Sequence, residues 1–259
     1  MSEKLRLGMI GGGQGAFIGA VHRMAAQLDG EYELVCGAFS SNPERSKASG
    51  AMLGLKPERV YNSYQELFEQ EKQLPEEERV QVISIVTPNH VHFEPAKMAL
   101  ENGFHVVLDK PMTFTLQEAL ELRNVAEESG KRFCLTHTYT GYPMVKEARQ
   151  IVASGKLGKI RKIYVEYPQG WLSRFEEAGD NKQASWRTDP SQSGIAGAMG
   201  DIGTHAFNLA EYVSGLYVTK LCADINTVVE GRKLDDDGAV LLKFDNGASG
   251  VLMATQIAA

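Results

Sequence analysis

The chain has 259 residues, 43% of them hydrophobic, which is enough for one large or two modest domains with a true core. A net charge of -6, with no basic run interleaved with aromatics, argues against a nucleic-acid surface. No apolar run approaches about 20 residues and no basic segment leads into an apolar one before the first strand; neither a membrane span nor a signal peptide is expected, and the chain reads as cytoplasmic. Cys36, Cys134 and Cys222 are odd in number, widely spaced and set in apolar surroundings, so they read as reduced core thiols.

Residues 5–10 form a short apolar run with the character of a buried strand, which breaks at Gly11, Gly12 and Gly13 before helical periodicity resumes over 18–28. Gly11, Gly13 and Ala16 fit G-x-G-x-x-G/A, in which missing side chains permit a tight turn and close approach of a pyrophosphate to a helix N-terminus. A βα turn with no ligand satisfies the same three positions. The next strand spans 32–39, and Ser41 with Glu44 reads as a capping box, Pro43 sitting in the first helical turn. At this strand's tip an acidic residue commonly takes the ribose hydroxyls of NAD, and Ser40 stands there instead. NAD and NADP therefore both remain open: Ser40 and Arg45 suit a 2′-phosphate, while Arg45 reads more simply as a solvated helix residue.

Ser63 and Glu66 mark a second capping box, and the acidic stretch 75–79 reads as a solvated loop. Residues 82–86 have the near-continuous apolar character of a central parallel strand, with a polar tip from Thr87 to His90. A helix over 93–102 and a terminating Gly103 lead to a strand over 104–108, then to Asp109, Lys110 and Pro111. A single lysine is commonly a surface charge, but Lys110 leaves a buried strand at the edge where doubly wound sheets bind ligands. Thr115 and Glu118 cap a helix that ends at Gly130, and 132–136 closes the alternation. Six strand-like runs alternating with helices predict an α/β dinucleotide-binding domain over 1–137, built on a doubly wound parallel sheet.

Beyond His137 the rhythm changes. A helix over 142–154 is followed by strand-like runs at 160–167, 218–229, 239–244 and 248–257, with Asp245-Asn246-Gly247 as a hairpin signal. This predicts a second, α+β domain over 138–259 with a mostly antiparallel, open-faced sheet. The final strand has no capping element after it, which reads as a missing C-terminal portion. The segment 170–199 reads as irregular and holds both tryptophans, Trp171 and Trp186, which either cover the sheet or wall a polar-substrate pocket. In the stretch 200–215, Asp201 and His205 stand at i and i+4 of a predicted helix, so the carboxylate can orient an imidazole suited to moving protons near neutral pH. A helix-capping aspartate and a packed histidine would show the same spacing. No metal is expected, because two ligands lack a third nearby, and His90 and His92 point to different sides.

The glycine turn followed by His22, the TPNH tip at 87–90, the DKP at 109–111 and the GDIGTH at 200–205, in this order, together resemble the Gfo/Idh/MocA oxidoreductases along almost the whole chain. The phrases GAFIGAVHR and LTHTYTGYPMV look most like its levoglucosan dehydrogenase-like and inositol dehydrogenase-like members, which oxidise sugar or polyol carbinols with NAD or NADP. The resemblance implies that Lys110 is the family's catalytic lysine, Asp201 its helix aspartate and His205 its catalytic histidine. His205 would take the hydroxyl proton as hydride leaves the same carbon, Lys110 would steady the oxygen, and Asp201 would aim the histidine. Cofactor contacts are expected at Gly11, Gly13, Gly15, Ala16, Phe17 and Ile18, at Ser40 and Arg45, at Thr87, Pro88, Asn89 and His92, and at Asp109 and Lys110; substrate contacts are expected at Tyr139, Trp186 and His205. Asp109 replaces the family's usual glutamate, the glycine turn is longer than its common form, and Thr138 stands where an asparagine is expected. The family also implies a homo-oligomer paired through the C-terminal sheet. A glycosidase of the same fold that keeps NAD bound, and a non-catalytic dinucleotide-binding regulator, are the alternative functions.

Overall fold

The computed structural model describes residues 4–258. The chain forms two compact units, one ending at Thr136 and the other beginning at His137.

In the first unit, strands and helices alternate: β1 (Leu5–Gly11), α1 (Phe17–Leu28), β2 (Tyr32–Ala38), α2 (Pro43–Met52), α3 (Tyr64–Glu71), β3 (Val82–Val86), α4 (Phe93–Glu101), β4 (His105–Leu108), α5 (Leu116–Ser129) and β5 (Phe133–Leu135). The strands pair in parallel in the order β2-β1-β3-β4-β5. All five residues of β3 are buried, as befits the central strand of a sheet covered on both faces. The order reverses between β1 and β3, so their C-terminal tips flank the crevice where open α/β sheets bind ligands. Five strands build this sheet, not the six expected. Beyond β2 the backbone adds an isolated parallel bridge from Gly37 to Val60, where the turn over Pro57–Arg59 leaves no length for a ladder.

Helix starts follow local chemistry, with one shift. Asn42, not Ser41, caps α2: its side chain accepts from the Arg45 N–H at 3.0 Å, because Pro43 occupies the first helical position and the cap must directly precede it. Ser63 accepts from the Glu66 N–H at 3.1 Å, but the Glu66 carboxylate reaches the Asn62 N–H instead of closing a box. Thr115 and Glu118 close theirs in both directions at α5. Behind the sheet, the fully buried Glu71 receives a bidentate pair from Arg59 at 2.8 Å, the Tyr61 hydroxyl at 2.7 Å and the Val80 N–H at 2.9 Å. Each carboxylate oxygen is thus hydrogen-bonded, which such a buried charge requires.

The second unit contains α6 (Pro143–Ala153), β6 (Lys162–Pro168), α7 (Lys182–Arg187), α8 (Pro190–Ser193), a π-helical turn (Met199–Gly203), α9 (Thr204–Ser214), β7 (Val218–Asn226), β8 (Asp237–Phe244) and β9 (Ser249–Thr255). Its sheet is mixed, in the order β6-β9-β8-β7, with β6 parallel to β9 and the other pairs antiparallel. In β8 the residues Gly238, Val240, Leu242 and Phe244 are buried and the intervening Ala239, Leu241 and Lys243 are exposed, the period-two pattern of a sheet covered on one side. Ile202 and Ala206 pack with Val240, Leu242 and Leu252 on the covered side. The other face carries Tyr164, Val251, Leu241 and Cys222 in register across the four strands. From Thr219 to Asn226, β7 is exposed on both of its faces. The 170–199 segment is less irregular than its sequence suggests, since α7 and α8 lie within it; they are too short to display a period.

Of the three cysteines, Cys36 is buried as expected, whereas Cys134 and Cys222 are exposed. Both lie on outermost strands, β5 and β7, where an apolar sequence neighbourhood does not confer burial. Among the described residues, no helix is long and apolar enough to cross a membrane.

Candidate active site

In the first unit β1 ends at Gly11, whose φ of +80° and close approach to the Val86 carbonyl, 2.9 Å from where a Cβ would sit, both demand glycine. Helix α1 then begins with Ala16 as a cap that offers no side-chain hydrogen bond and with no acidic residue in its first turn. Its leading N–H groups and positive dipole end are left to an anion, so the turn fits a dinucleotide pyrophosphate. A Cβ on Gly19 would overlap the Gly12 Cα, so α1 packs closely against the glycine turn at Gly19, three residues beyond Ala16. Gly13 lies under Phe39 and Ser49, Gly15 faces open space, Phe17 is exposed and Ile18 half-buried.

The other expected cofactor residues of this unit lie at the same C-terminal edge of its sheet. After β2, the Ser40 hydroxyl accepts from the Asn42 N–H at 3.2 Å, and Arg45 is exposed in the first turn of α2. After β3, the Thr87 hydroxyl donates to the Val91 carbonyl, Pro88 is exposed and Asn89 is buried. After β4 come Asp109 and Lys110, both half-buried. Asp109 accepts from the Thr136 hydroxyl at 3.0 Å and lies 3.8 Å from Nε2 of His22, whose Nδ1 is 3.0 Å from the Ser84 hydroxyl. Burial alone would raise the Asp109 carboxyl, but His22, Lys110 and Thr136 together hold it below the ordinary aspartate value.

Among the expected cofactor residues His92 is fully buried, with Nδ1 2.7 Å from the Pro111 carbonyl oxygen and Nε2 2.9 Å from that of Thr87. Burial pushes its pKa down, opposed by the two carbonyls. The long-range partnership of His22 with Asp109 was not visible in the sequence, although His22 stands in the quoted glycine-turn phrase.

In the second unit, the expected regular i to i+4 spacing is replaced by a π-helical turn over Met199–Gly203, which holds Asp201, followed by α9, in which His205 is the second residue. The extra residue widens the turn, a distortion frequent at functional sites. Asp235 steadies this turn, its carboxylate accepting from the N–H groups of Gly197 and Met199. The Asp201 carboxylate receives Gln256 Nε2 at 2.9 Å and Arg187 Nε at 3.5 Å, and the Arg187 guanidinium stacks on Trp186 at 4.3 Å. Trp186, Arg187, Asp201 and Gln256 thus form one chain of contacts, of which the sequence had shown Trp186 and Asp201.

His205 is 8% exposed and boxed by aromatic rings, with centroids at 5.0 Å for Tyr139, 5.4 Å for His137 and 6.2 Å for Tyr167. The Tyr139 and Tyr167 hydroxyls are hydrogen-bonded, and burial followed by this bond raises the Tyr139 pKa. Next to this box a cavity of about 480 Å³ is lined by His137, Met199, Thr204 and Phe207 against Ala223 and Val240 of the sheet.

Residues 5–137 match the family described as "Oxidoreductase family, NAD-binding Rossmann fold", and residues 145–259 match the GFO/IDH/MocA C-terminal domain. Among solved structures, an inositol dehydrogenase homolog complexed with NAD+ from Azotobacter vinelandii is 36% identical with a TM-score of 0.95, covering 100% of this chain and 66% of its own. The uncharacterized oxidoreductase YfiI of Bacillus subtilis is 34% identical over 99% of this chain and 66% of its own length. Levoglucosan dehydrogenase of Pseudarthrobacter phenanthrenivorans is 28% identical over 96% and 60% respectively. The chain therefore spans slightly less than two thirds of the length of these relatives. With both family domains matched in order, it belongs to the Gfo/Idh/MocA oxidoreductases.

Proposed function

We propose that this protein is an NAD(P)-dependent dehydrogenase that oxidises a CH–OH group of a sugar or polyol. The observation that carries the proposal is that Lys110 leaves β4 at the same sheet edge as the uncapped, acid-free start of α1. A dinucleotide site and a side chain able to stabilise a reacting oxygen thus share one edge. The relatives support the substrate class: one is a levoglucosan dehydrogenase, and a 34% identical inositol dehydrogenase homolog is complexed with NADH and myo-inositol.

A bound nicotinamide supplies hydride acceptance. The remaining tasks fall to this chain: His205 takes the proton of the substrate hydroxyl and Lys110 steadies the oxygen by hydrogen bonding and positive charge. Asp201, held by Gln256 and Arg187, sits in the π-helical turn that leads into His205 and aims its imidazole. The Tyr139 and Tyr167 rings hold the His205 imidazole in place, and Tyr139 and Trp186 contribute to the substrate site. Ser40 and Arg45 take the adenosine ribose, and the 2′-phosphate if NADP binds. The open sheet face bearing Tyr164 and Leu241, 70% and 63% exposed, pairs subunits into a homo-oligomer, which light scattering tests directly.

The decisive assay is reduction of NAD+ and NADP+ with inositols, anhydrosugars and aldoses. His205→Ala and Lys110→Ala are each expected to lower turnover about 10²- to 10⁴-fold while leaving NADH binding largely intact. Parental turnover in either variant overturns the role given to that residue. Release of free sugar without net NADH would assign the site to glycoside cleavage instead.

A further inference from the structure

Lys110 is flanked by two residues, each of which lies against a histidine, one on α1 and one at the start of α4. On its N-terminal side Asp109 faces His22 of α1, whose other nitrogen meets Ser84 of β3. On its C-terminal side the Pro111 carbonyl meets His92, at the start of α4, whose other nitrogen meets the Thr87 carbonyl at the tip of β3. We propose that His22 and His92 are positioning residues that clasp the Asp109–Pro111 segment to β3 and thereby fix the direction in which Lys110 leaves the sheet.

The geometry suits this task. A lysine has a flexible four-carbon stem, so displacing its backbone displaces its amine. The segment after β4 is not itself part of the ladder, since the last regular register pair of β3 with β4 is Ile85 with Leu108, followed by one Asp109 N–H bond to the Ile85 carbonyl. Thr136 ties Asp109 towards β5, and the two histidines add the ties towards β3. His92 is fully buried and the His22 side chain is 9% exposed, so both ties are shielded from competition by water. Both contacts of His92 are backbone carbonyls, which only accept; a neutral ring donates to one tip and a protonated ring to both. Asp109 and Lys110 are the charged groups that act on His92, with opposite signs. Both ties are local to the first unit, and both link the lysine to the strand whose tip bears Thr87.

This inference rests on Lys110 being the reaction's lysine only for its kinetic consequence; the placement itself is testable without turnover. The full chain is prepared as parent, His92→Phe, His92→Gln and His22→Gln, each checked for folding by circular dichroism. Acylation of Lys110 by an amine-reactive ester is followed by peptide mass spectrometry, with the loop residue Lys159 as internal reference. Removing the clasp in His92→Phe is expected to change the Lys110 rate several-fold relative to Lys159, and His92→Gln, which keeps N–H donors, is expected to recover part of it. His22→Gln is expected to shift the rate in the same direction and keeps the test alive if the phenylalanine variant does not fold. A Lys110 rate identical to the parent in the folded variants overturns the proposal. Where dehydrogenase activity is measured, misplacing the amine by about 1 Å lowers kcat by up to about 10²-fold. NADH affinity falls by less than kcat, and a loss confined to NADH affinity overturns the positioning role. Absence of all activity in the parent would refute the proposed function and leave the labelling result to judge the clasp.

Discussion

The two units hold Lys110 and His205, the side chains proposed to carry the reaction, by opposite means. In the first, Lys110 follows β4, next to the fully buried β3, and what surrounds it is polar: carbonyl tips, an aspartate and two histidines. In the second, His205 sits on a helix laid over one face of a sheet, and what surrounds it is aromatic. Polar ties fix a direction, because hydrogen bonds weaken steeply with angle; ring contacts fix a position while permitting tilt. A flexible ammonium needs the former and a rigid imidazole can be located by the latter.

Both tryptophans lie in the second unit, so their fluorescence separates the units' stabilities, while circular dichroism follows both. The largest expected change is in the first unit. Arg59→Ala leaves the fully buried Glu71 without its bidentate partner and should cost about 3–5 kcal/mol, lowering the urea midpoint by dichroism while the tryptophan transition stays put. A tryptophan transition that moves with it would show that the units unfold as one and would break the comparison. Gly19→Ala forces a methyl into the Gly12 backbone and should cost about 1–3 kcal/mol, again without touching the tryptophan signal, and should weaken NADH binding by displacing the start of α1. On the other side, Asp235→Ala unties the π-helical turn and should cost about 0.5–2 kcal/mol, now visible in tryptophan fluorescence.

The smallest effect is acid sensitivity, and its sign follows from two groups of the first unit. Asp109 is held below its ordinary value of 3.8, so its contribution is present above that value and is lost as pH falls through its lower folded-state value. His92 is depressed by burial below 6.5, so the unfolded chain binds its proton more readily and stability declines as pH falls below 6.5. Urea midpoints at about pH 7 and about pH 5 should show the first unit losing stability, with a flatter slope in His92→Gln. An unchanged slope would remove His92 from the account.

Legibility in the sequence tracked the range of the forces involved. The fully buried β3, the capping pair at Thr115 and Glu118 and the Asp245-Asn246-Gly247 hairpin were readable because their signals are local. Cap identity slipped from Ser41 to Asn42, where two capping residues stand side by side and the position of Pro43 decides between them. The partners of Asp109 and Asp201 were unreadable: His22 with Asp109, and Arg187 and Gln256 with Asp201, are brought together by tertiary folding and carry no spacing rule. The π-helical turn was hidden for a related reason, since one added residue leaves D-x-x-x-H looking like an ordinary helical pair. Cys134 and Cys222 misled because hydrophobic neighbours indicate a strand without indicating whether it is central or outermost.

The exposure of β7 on both faces has a practical consequence. An outer strand with free backbone groups and bare apolar side chains such as Leu221 and Ile225 is a template for unwanted strand addition, which makes the first purification buffer as important as any assay. Cys222, directly across from Leu241 on the open face, provides its own gauge: a thiol reagent enters quickly while that surface is bare and slowly once anything shields it.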